Sequence, residues 1–256
     1  MILHIHGSEF KEFCENSRLK QLIAFILKHS NAVIVLSDIW AKFIYQYSGQ
    51  KNIITIENGI NLEPFYKCES SKDSIKILFV GALGRRKGLF TILESIKNFP
   101  ELQVPRIKFY IIGKGLSEKE HLEVLNAFKK EKLPNVVFLG ELSGEPKYEF
   151  YRKSDIFILP SFAEGFPIAL LEAMASYLPI VSTKVGGIPD MIHEENGILI
   201  TPGNYKDLGI AIIKLINSED LRVVTGSNNR KRVEKYYNLD QMIEKISKLY
   251  FKLLHK

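Results

Sequence analysis

Short runs of β-branched and aromatic residues alternate with amphipathic stretches from one end of the chain to the other. This alternation predicts βαβ units with parallel strands rather than a sandwich or a helical bundle. In the first third the pattern predicts strands at Ile2–His6, Ala32–Leu36 and Ile53–Ile56, with helices over Phe13–Lys28 and Asp38–Tyr47. The polar segment Lys67–Ser74 (KCESSKDS) then marks a boundary. Beyond it, strands are predicted at Ile75–Val80, Ile107–Ile112, Val136–Leu139, Asp155–Pro160, Ile180–Ser182 and Ile198–Ile200. Helices are predicted at Lys87–Asn98, Ser117–Lys132, Pro146–Lys153, Pro167–Tyr177 and Tyr205–Asn217. That second set makes a full doubly wound α/β unit of the nucleotide-binding type, whereas the first set has too few strands for another. Near the end, Met242, Ile243, Ile246, Leu249, Tyr250 and Leu253 recur at helical spacing, so Asp240–His255 is an amphipathic helix that needs a surface to pack on. The chain therefore divides into a partial unit over 1–66, a complete one over 67–235 and a terminal helix over 236–256.

Composition narrows the class. The chain has 256 residues, 46% hydrophobic and 25% charged, with 17 Gly and 10 Pro, which excludes a disordered, collagenous or coiled-coil chain. Its apolar stretch near the start, Leu22 to Leu27, falls far short of the roughly 20 residues of a membrane span. Met1 is followed by no basic segment of the signal-peptide kind, so a soluble, cytoplasmic protein is expected. Cys14 and Cys68 have neither metal-knuckle nor disulfide-framework spacing and read as packing residues in a reducing compartment.

The net charge of +6 lies in the tail, because residues 222–256 hold nine basic and three acidic side chains while the rest of the chain balances. Basic and aromatic residues are not interleaved through the body, which argues against a nucleic-acid partner. A basic terminal helix fits a solvated face first, and an anionic membrane surface second.

Three segments could carry chemistry. Gly81-Ala82-Leu83-Gly84-Arg85-Arg86-Lys87-Gly88 lies between a strand and a helix, where glycines admit an anion to the backbone and Arg86 and Lys87 add positive charge. It is neither a Walker A loop nor a GxGxxG, and read alone it is as well explained as a plain turn. The second segment runs from Ser161 to Glu172 and contains Glu164-Gly165-Phe166-Pro167. Pro167 suits the first helical turn, so Glu164 and Glu172 frame one helix N-terminus. The alternative is a capping Glu164 and a surface Glu172, but Ala169, Ala173 and Ala175 suggest a closely packed helix in which an unpartnered Glu would be costly. Lys184-Val185-Gly186-Gly187-Ile188-Pro189-Asp190 forms the third turn. All three follow strands of one parallel sheet and open at its carboxyl edge, where ligands of such folds bind.

The segments GALGRRKG, FLGEL, LPSFAEGFPIALLEAMASYLPIVSTKVGGIPD and NGILITPGN resemble the donor-binding half of retaining family-four glycosyltransferases with the GT-B fold, of the bacterial polysaccharide and lipopolysaccharide type. The most specific element is the pair Glu164 and Glu172, seven residues between them, in the context EGFP and LLEAMA. HGSEF and IENGIN are similar to the late acceptor-domain strand and the interdomain connection of that family. The resemblance implies a GT-B-like fold and a hexosyltransferase using a nucleotide diphosphate sugar, with a UDP-sugar expected, to build surface polysaccharide. The acceptor would be a saccharide or a lipid-linked saccharide.

Residue by residue, the resemblance implies that Glu164 touches the donor sugar and Glu172 the ribose diol. Lys87 and Arg86 would neutralise the diphosphate, and the N–H groups of Gly165, Phe166, Ile168 and Ala169, around Pro167, would bind sugar and phosphate oxygens. Gly81, Ala82 and Leu142 would line the donor site. His6 would face the reacting sugar from the acceptor side, though a histidine at a strand end is as often a packing residue. No metal and no further cofactor is implied. Where many relatives have Arg after the first glycine this chain has Ala82, so either Arg85 or Arg86 supplies the second positive charge or the donor is held more weakly.

The resemblance also implies that most of an acceptor domain is missing, supplied by an absent N-terminal half or a partner chain. Strands such as Ala32–Leu36 would then present uncovered apolar faces. Against the transferase stand a non-catalytic nucleotide-sugar-binding module and a nucleotide-sugar epimerase. At the membrane, Lys245, Lys248, Lys252 and Lys256 would stand exposed on the terminal helix.

Overall fold

The computed structural model describes residues 1–7, 10, 13, 14, 19–68 and 73–254. Two parallel sheets are built from the predicted strands. The smaller has the order β1 (Ile2–Ile5), β2 (Ala32–Val35), β3 (Ile53–Thr55), with α1 (Lys20–Lys28) and α2 (Asp38–Ser48) as crossovers. Strand β1 stops at Ile5, one residue short of the predicted His6; Phe13 and Cys14 are helical as predicted, residues 15–18 lie outside the described residues, and α1 begins at Lys20. Ser37 caps α2 by accepting from the Trp40 N–H. The expectation of an uncovered β2 fails: Ala32 to Val35 are all buried, because β2 has a neighbour on each edge and Leu27 of α1 and Trp40 and Ile44 of α2 cluster with Val33 and Val35 on its face. Exposed apolar side chains lie instead on α1, at Leu22 and Phe25.

The larger sheet contains β4 (Ile75–Val80), β5 (Ile107–Ile112), β6 (Val136–Gly140), β7 (Ile156–Leu159), β8 (Ile180–Thr183) and β9 (Gly197–Ile200) in the order β6-β5-β4-β7-β8-β9. Helices cover both faces, so central strands such as β7 (Ile-Phe-Ile-Leu) are buried along their whole length rather than alternating. The chain lays β5 and β6 to one side of β4 and then returns to lay β7, β8 and β9 on the other. That reversal opens a crevice at the carboxyl ends of β4 and β7.

The covering helices are α3 (Leu89–Asn98), α4 (Glu118–Lys130), α5 (Gly144–Lys153), α6 (Ile168–Ala175), α7 (Ile188–Met191), α8 (Tyr205–Ile216) and α9 (Glu219–Tyr236). The periodicity did not predict α9, and its inward side explains why. Thr225, Gly226, Asn229 and Val233 are its buried residues, so small and polar groups stand where an apolar stripe would be. Asn229 holds its place by donating to the Leu178 carbonyl at 2.7 Å and accepting from Asn196 at 2.8 Å.

The two sheets are joined by residues 56–68, and Ile60 and Phe65 pack into the larger core. Buried Arg152 donates to the Pro64 carbonyl at 3.1 Å, and Arg230 to that of Phe65 at 2.7 Å. The last helix, α10 (Leu239–Leu254), returns to the smaller sheet's side. Ile60 and Leu239 bracket its start with backbone hydrogen bonds, the Met242 sulfur accepts from the Gly59 N–H, and Tyr250 Oη meets His4 Nε2 at 3.2 Å. Lys245 and Lys248 are exposed as expected, with Lys245 paired to Glu57 and Lys248 to Glu244. Lys252 is exposed, and Lys256 lies outside the described residues. Among the described residues no helix is long and apolar enough to cross a membrane.

Candidate functional site

The three glycine-bearing turns follow β4, β7 and β8, which are neighbours in the sheet, and they grip one another. From the β4 side, the Arg86 carbonyl accepts from the Phe162 N–H at 2.8 Å. Gly88, at φ +80, packs so closely on the Pro160 carbonyl that a Cβ there would overlap it. From the β8 side, Gly186, at φ +52, is seated in the same way on the Glu164 carbonyl, and Gly187 N–H donates to the Gly165 carbonyl at 2.8 Å. Thr183 closes the set by donating to the Ser161 carbonyl at 2.6 Å. The turn carrying Glu164 is therefore clamped between two others, a preorganised geometry.

Both carboxylates are buried and paired. Glu164, 5% exposed, accepts from Ser161 Oγ at 2.7 Å and from Lys87 Nζ at 2.7 and 2.8 Å. Glu172, 6% exposed, accepts from Lys147 Nζ at 2.6 Å, so a surface position for it is ruled out. Beneath it, burial and then the Glu172 carboxylate push the Tyr151 hydroxyl well above its ordinary range, which keeps it a donor. Pro167 sits one position earlier than predicted, in extended conformation ahead of Ile168, and no side chain caps α6. The positive end of its dipole therefore carries no side-chain cap among the described residues.

Besides a polar cavity lined by Phe166 and Asp190, two cavities adjoin the turns. One, of about 400 Å³, is lined by Gly81, Ala82, Leu142 and Lys147 together with the β5 turn Gly113–Leu116. The other, of about 350 Å³, lies between α2 and the two turns holding Glu164 and Gly186. The predicted residues Gly81, Ala82 and Leu142 are thus brought to one cavity, and Glu164 to the other. Lys87 links the β4 turn to Glu164. Gly165, Phe166 and Pro167 are buried in the clamped turn, with Ile168 exposed and Ala169 half-buried at the start of α6.

Of the two arginines offered for the second positive charge, Arg85 is turned away, paired with Glu123 and lying over the Phe90 ring. Arg86, beside it, is half-buried. His6 is not among the residues lining either cavity; it is exposed just past β1, with its ring stacked 5.8 Å from that of His4.

Lys147, Ser161 and the β5 turn were not singled out from the sequence. The β5 turn carried a legible signal, a fourth glycine-bearing strand-to-helix turn, with Gly113 and Gly115. Lys147 carried none, since its partner lies 25 positions away.

Residues 65–232 match the family model described as glycosyl transferases group 1. An uncharacterized glycosyltransferase of Methanocaldococcus jannaschii is 29% identical over 98% of this chain and 68% of its own length. The capsular polysaccharide biosynthesis glycosyltransferase CapM of Staphylococcus aureus is 28% identical over 86% of this chain, which spans 61% of that protein. Among solved structures, sucrose-phosphate synthase of Thermosynechococcus elongatus superposes with a TM-score of 0.86 over 99% of this chain and 68% of its own, at 24% identity. HepE of Anabaena, solved with UDP and glucose, gives 0.85 over 97% and 70%, at 18% identity. These neighbours have the GT-B fold expected from the sequence.

Proposed function

The chain belongs to the glycosyl transferases of group 1, and from that membership and the geometry above we propose that its larger unit binds a nucleotide diphosphate sugar for hexosyl transfer with retention of configuration. In this reading the donor is a UDP-sugar, the acceptor a saccharide or lipid-linked saccharide, and the product a surface polysaccharide. The observation that carries it is the clamped Glu164 turn, which brings a buried carboxylate, Lys87 and the start of α6 together after β7 at the carboxyl edge of the larger sheet. The UDP and glucose named for HepE, and the capsular role named for CapM, support the choice of donor and product.

The nucleotide takes the cavity of Gly81, Ala82, Leu142 and Lys147, with its ribose diol on Glu172. Lys87, Arg86 and the α6 dipole meet the diphosphate, whose charge grows as the sugar leaves, so no metal ion is called for. Glu164 orients the sugar hydroxyls. The bond from the anomeric carbon to the diphosphate breaks while the acceptor oxygen attacks on the same face, its proton passing to the departing phosphate oxygen. His6, placed on the acceptor side, would reach the sugar only by a movement of the smaller unit. Lys252 and the basic tail supply the means for the enzyme to rest on an anionic membrane surface.

Titration calorimetry with UDP-sugars and GDP-sugars tests the placement. Lys87→Ala removes a charge-assisted contact and is expected to cost about 1.5–3 kcal/mol of donor affinity. Unchanged affinity in the folded variant would remove Lys87 from the donor site. Release of free UDP only when an acceptor is present separates transfer from a binding-only module, and mass analysis of the sugar separates it from epimerisation.

A further inference from the structure

The turn after β5, Gly113 to Leu116, forms one wall of the cavity of about 400 Å³ that Gly81, Ala82 and Leu142 also line. Its first half is pinned by the neighbouring turns. Gly113 N–H donates to the Gly140 carbonyl at 2.8 Å, and the Lys114 carbonyl accepts from the Leu83 N–H at 2.9 Å. The second half is held from another direction, by the start of α4. Ser117 Oγ caps that helix by accepting from the Glu120 N–H at 3.2 Å, and the His121 N–H donates to the Ser117 carbonyl at 3.0 Å. Helical side chains lean toward the N-terminus, so the half-buried His121 ring reaches back past the cap to the turn. There its Nδ1 accepts from the Gly115 N–H at 3.2 Å. Gly115 lies so close that a Cβ on it would stand 2.5 Å from the His121 backbone nitrogen.

We propose that His121 is a positioning residue for donor binding, which fixes the tip of the β5 turn through Gly115 and does not itself meet the donor. The proposal rests on the reading of this cavity as the nucleotide site and deepens it by naming what holds its wall. His121 is not among the residues lining the cavity, so its influence runs through the turn. Packing of the tip is no substitute, because Leu116 is 73% exposed. To accept from an N–H, Nδ1 must carry no proton, which places the ring hydrogen on Nε2. A nucleotide binds only those molecules whose wall is in place, and its apparent affinity falls in proportion to that fraction. One neutral hydrogen bond weighs about fivefold in such a balance.

The test compares His121→Asn with His121→Leu in the full chain. The two replacements are nearly equal in shape, but Asn Oδ1 is joined to Cγ as Nδ1 is in histidine and can accept from Gly115, whereas Leu offers no acceptor. UDP affinity by calorimetry should fall about fivefold in His121→Leu and stay within twofold of the parent in His121→Asn. Hydrogen exchange at the Gly115 amide, followed by NMR without UDP, should be slow in the parent and in His121→Asn and at least tenfold faster in His121→Leu. A His121→Leu protein that binds UDP as the parent does, or a His121→Asn protein as weak as His121→Leu, would overturn the proposal. So would an unprotected Gly115 amide in the parent, a measurement that needs no variant to fold. Failure of the parent to bind UDP while its Gly115 amide is protected would instead strike the donor reading.

Discussion

Lys87 Nζ lies 2.7 and 2.8 Å from the two oxygens of Glu164, bridging the turns after β4 and β7. The cation proposed for the diphosphate and the carboxylate proposed for the sugar are thus each other's counter-ion before a donor arrives. Glu164→Gln frees Lys87 for phosphate, so affinity for UDP should hold or rise while transfer falls. Calorimetry beside a turnover assay checks both, and a loss of UDP affinity would contradict the division of roles.

The same pair sets a stability expectation. Lys87→Ala leaves Glu164 buried with Ser161 as its remaining hydrogen-bond partner among the described residues, and breaking a buried pair this way should cost about 3 kcal/mol. That is the low end of the usual range, because Lys87 keeps some exposure. Lys87→Met combined with Glu164→Gln removes both charges and should recover most of the loss in urea unfolding.

Glu172 is held by Lys147 and is proposed to bind the ribose. Glu172→Gln should therefore lower UDP affinity, in contrast to Glu164→Gln. Equal losses of UDP affinity in the two variants would show that the carboxylates do not separate into nucleotide and sugar roles.

Gly186 and Gly49 both have positive φ, but only Gly186 has backbone against the place of its missing Cβ. Gly49→Ala, at the end of α2 with open space around it, should cost about 1 kcal/mol for the backbone alone. Gly186→Ala adds an overlap with the Glu164 carbonyl, so its cost should be at least about 2 kcal/mol greater, with loss of donor binding. Urea midpoints of the two variants make the comparison.

Asp190 faces Asp38, Glu57, His193, Arg232 and Tyr237 in a polar cavity between the two units, and its Oδ2 is buried without a hydrogen-bond partner among the described residues. Burial, then the Asp38 charge, raise its pKa above 3.8, with a smaller push from Glu57; the Asp38 backbone and His193 oppose this only in part. A carboxyl raised on folding binds more protons in the folded state. Its stabilising share is therefore complete below 3.8 and lost as pH rises through the raised value. Asp190→Asn should be more stable than the parent at pH 7, and the gap should close on acidification. A gap independent of pH between 7 and 4 would refute this.

The strands of both sheets, the crossover helices and the two glutamates of the EGFP segment could be read from residue order, because parallel strands covered on both faces become apolar runs and glycine turns punctuate them. The helix Glu219–Tyr236 could not, since Thr225, Gly226 and Asn229 bury no apolar stripe and earn their place through Tyr177, Leu178 and Asn196 from elsewhere in the chain. Residue order also showed that Glu172 needed a partner without showing which. Lys147 reaches it only because α5 and α6 are brought together across the sheet. Likewise Arg85 and Arg86 are adjacent and alike in sequence, and only the packing of α4 and α3, which sets Glu123 and Phe90 beside Arg85, gives them different surroundings. Periodicity reports which face of an element is apolar. The pairing of charges depends on distances across elements, which exist only once the sheet order is set.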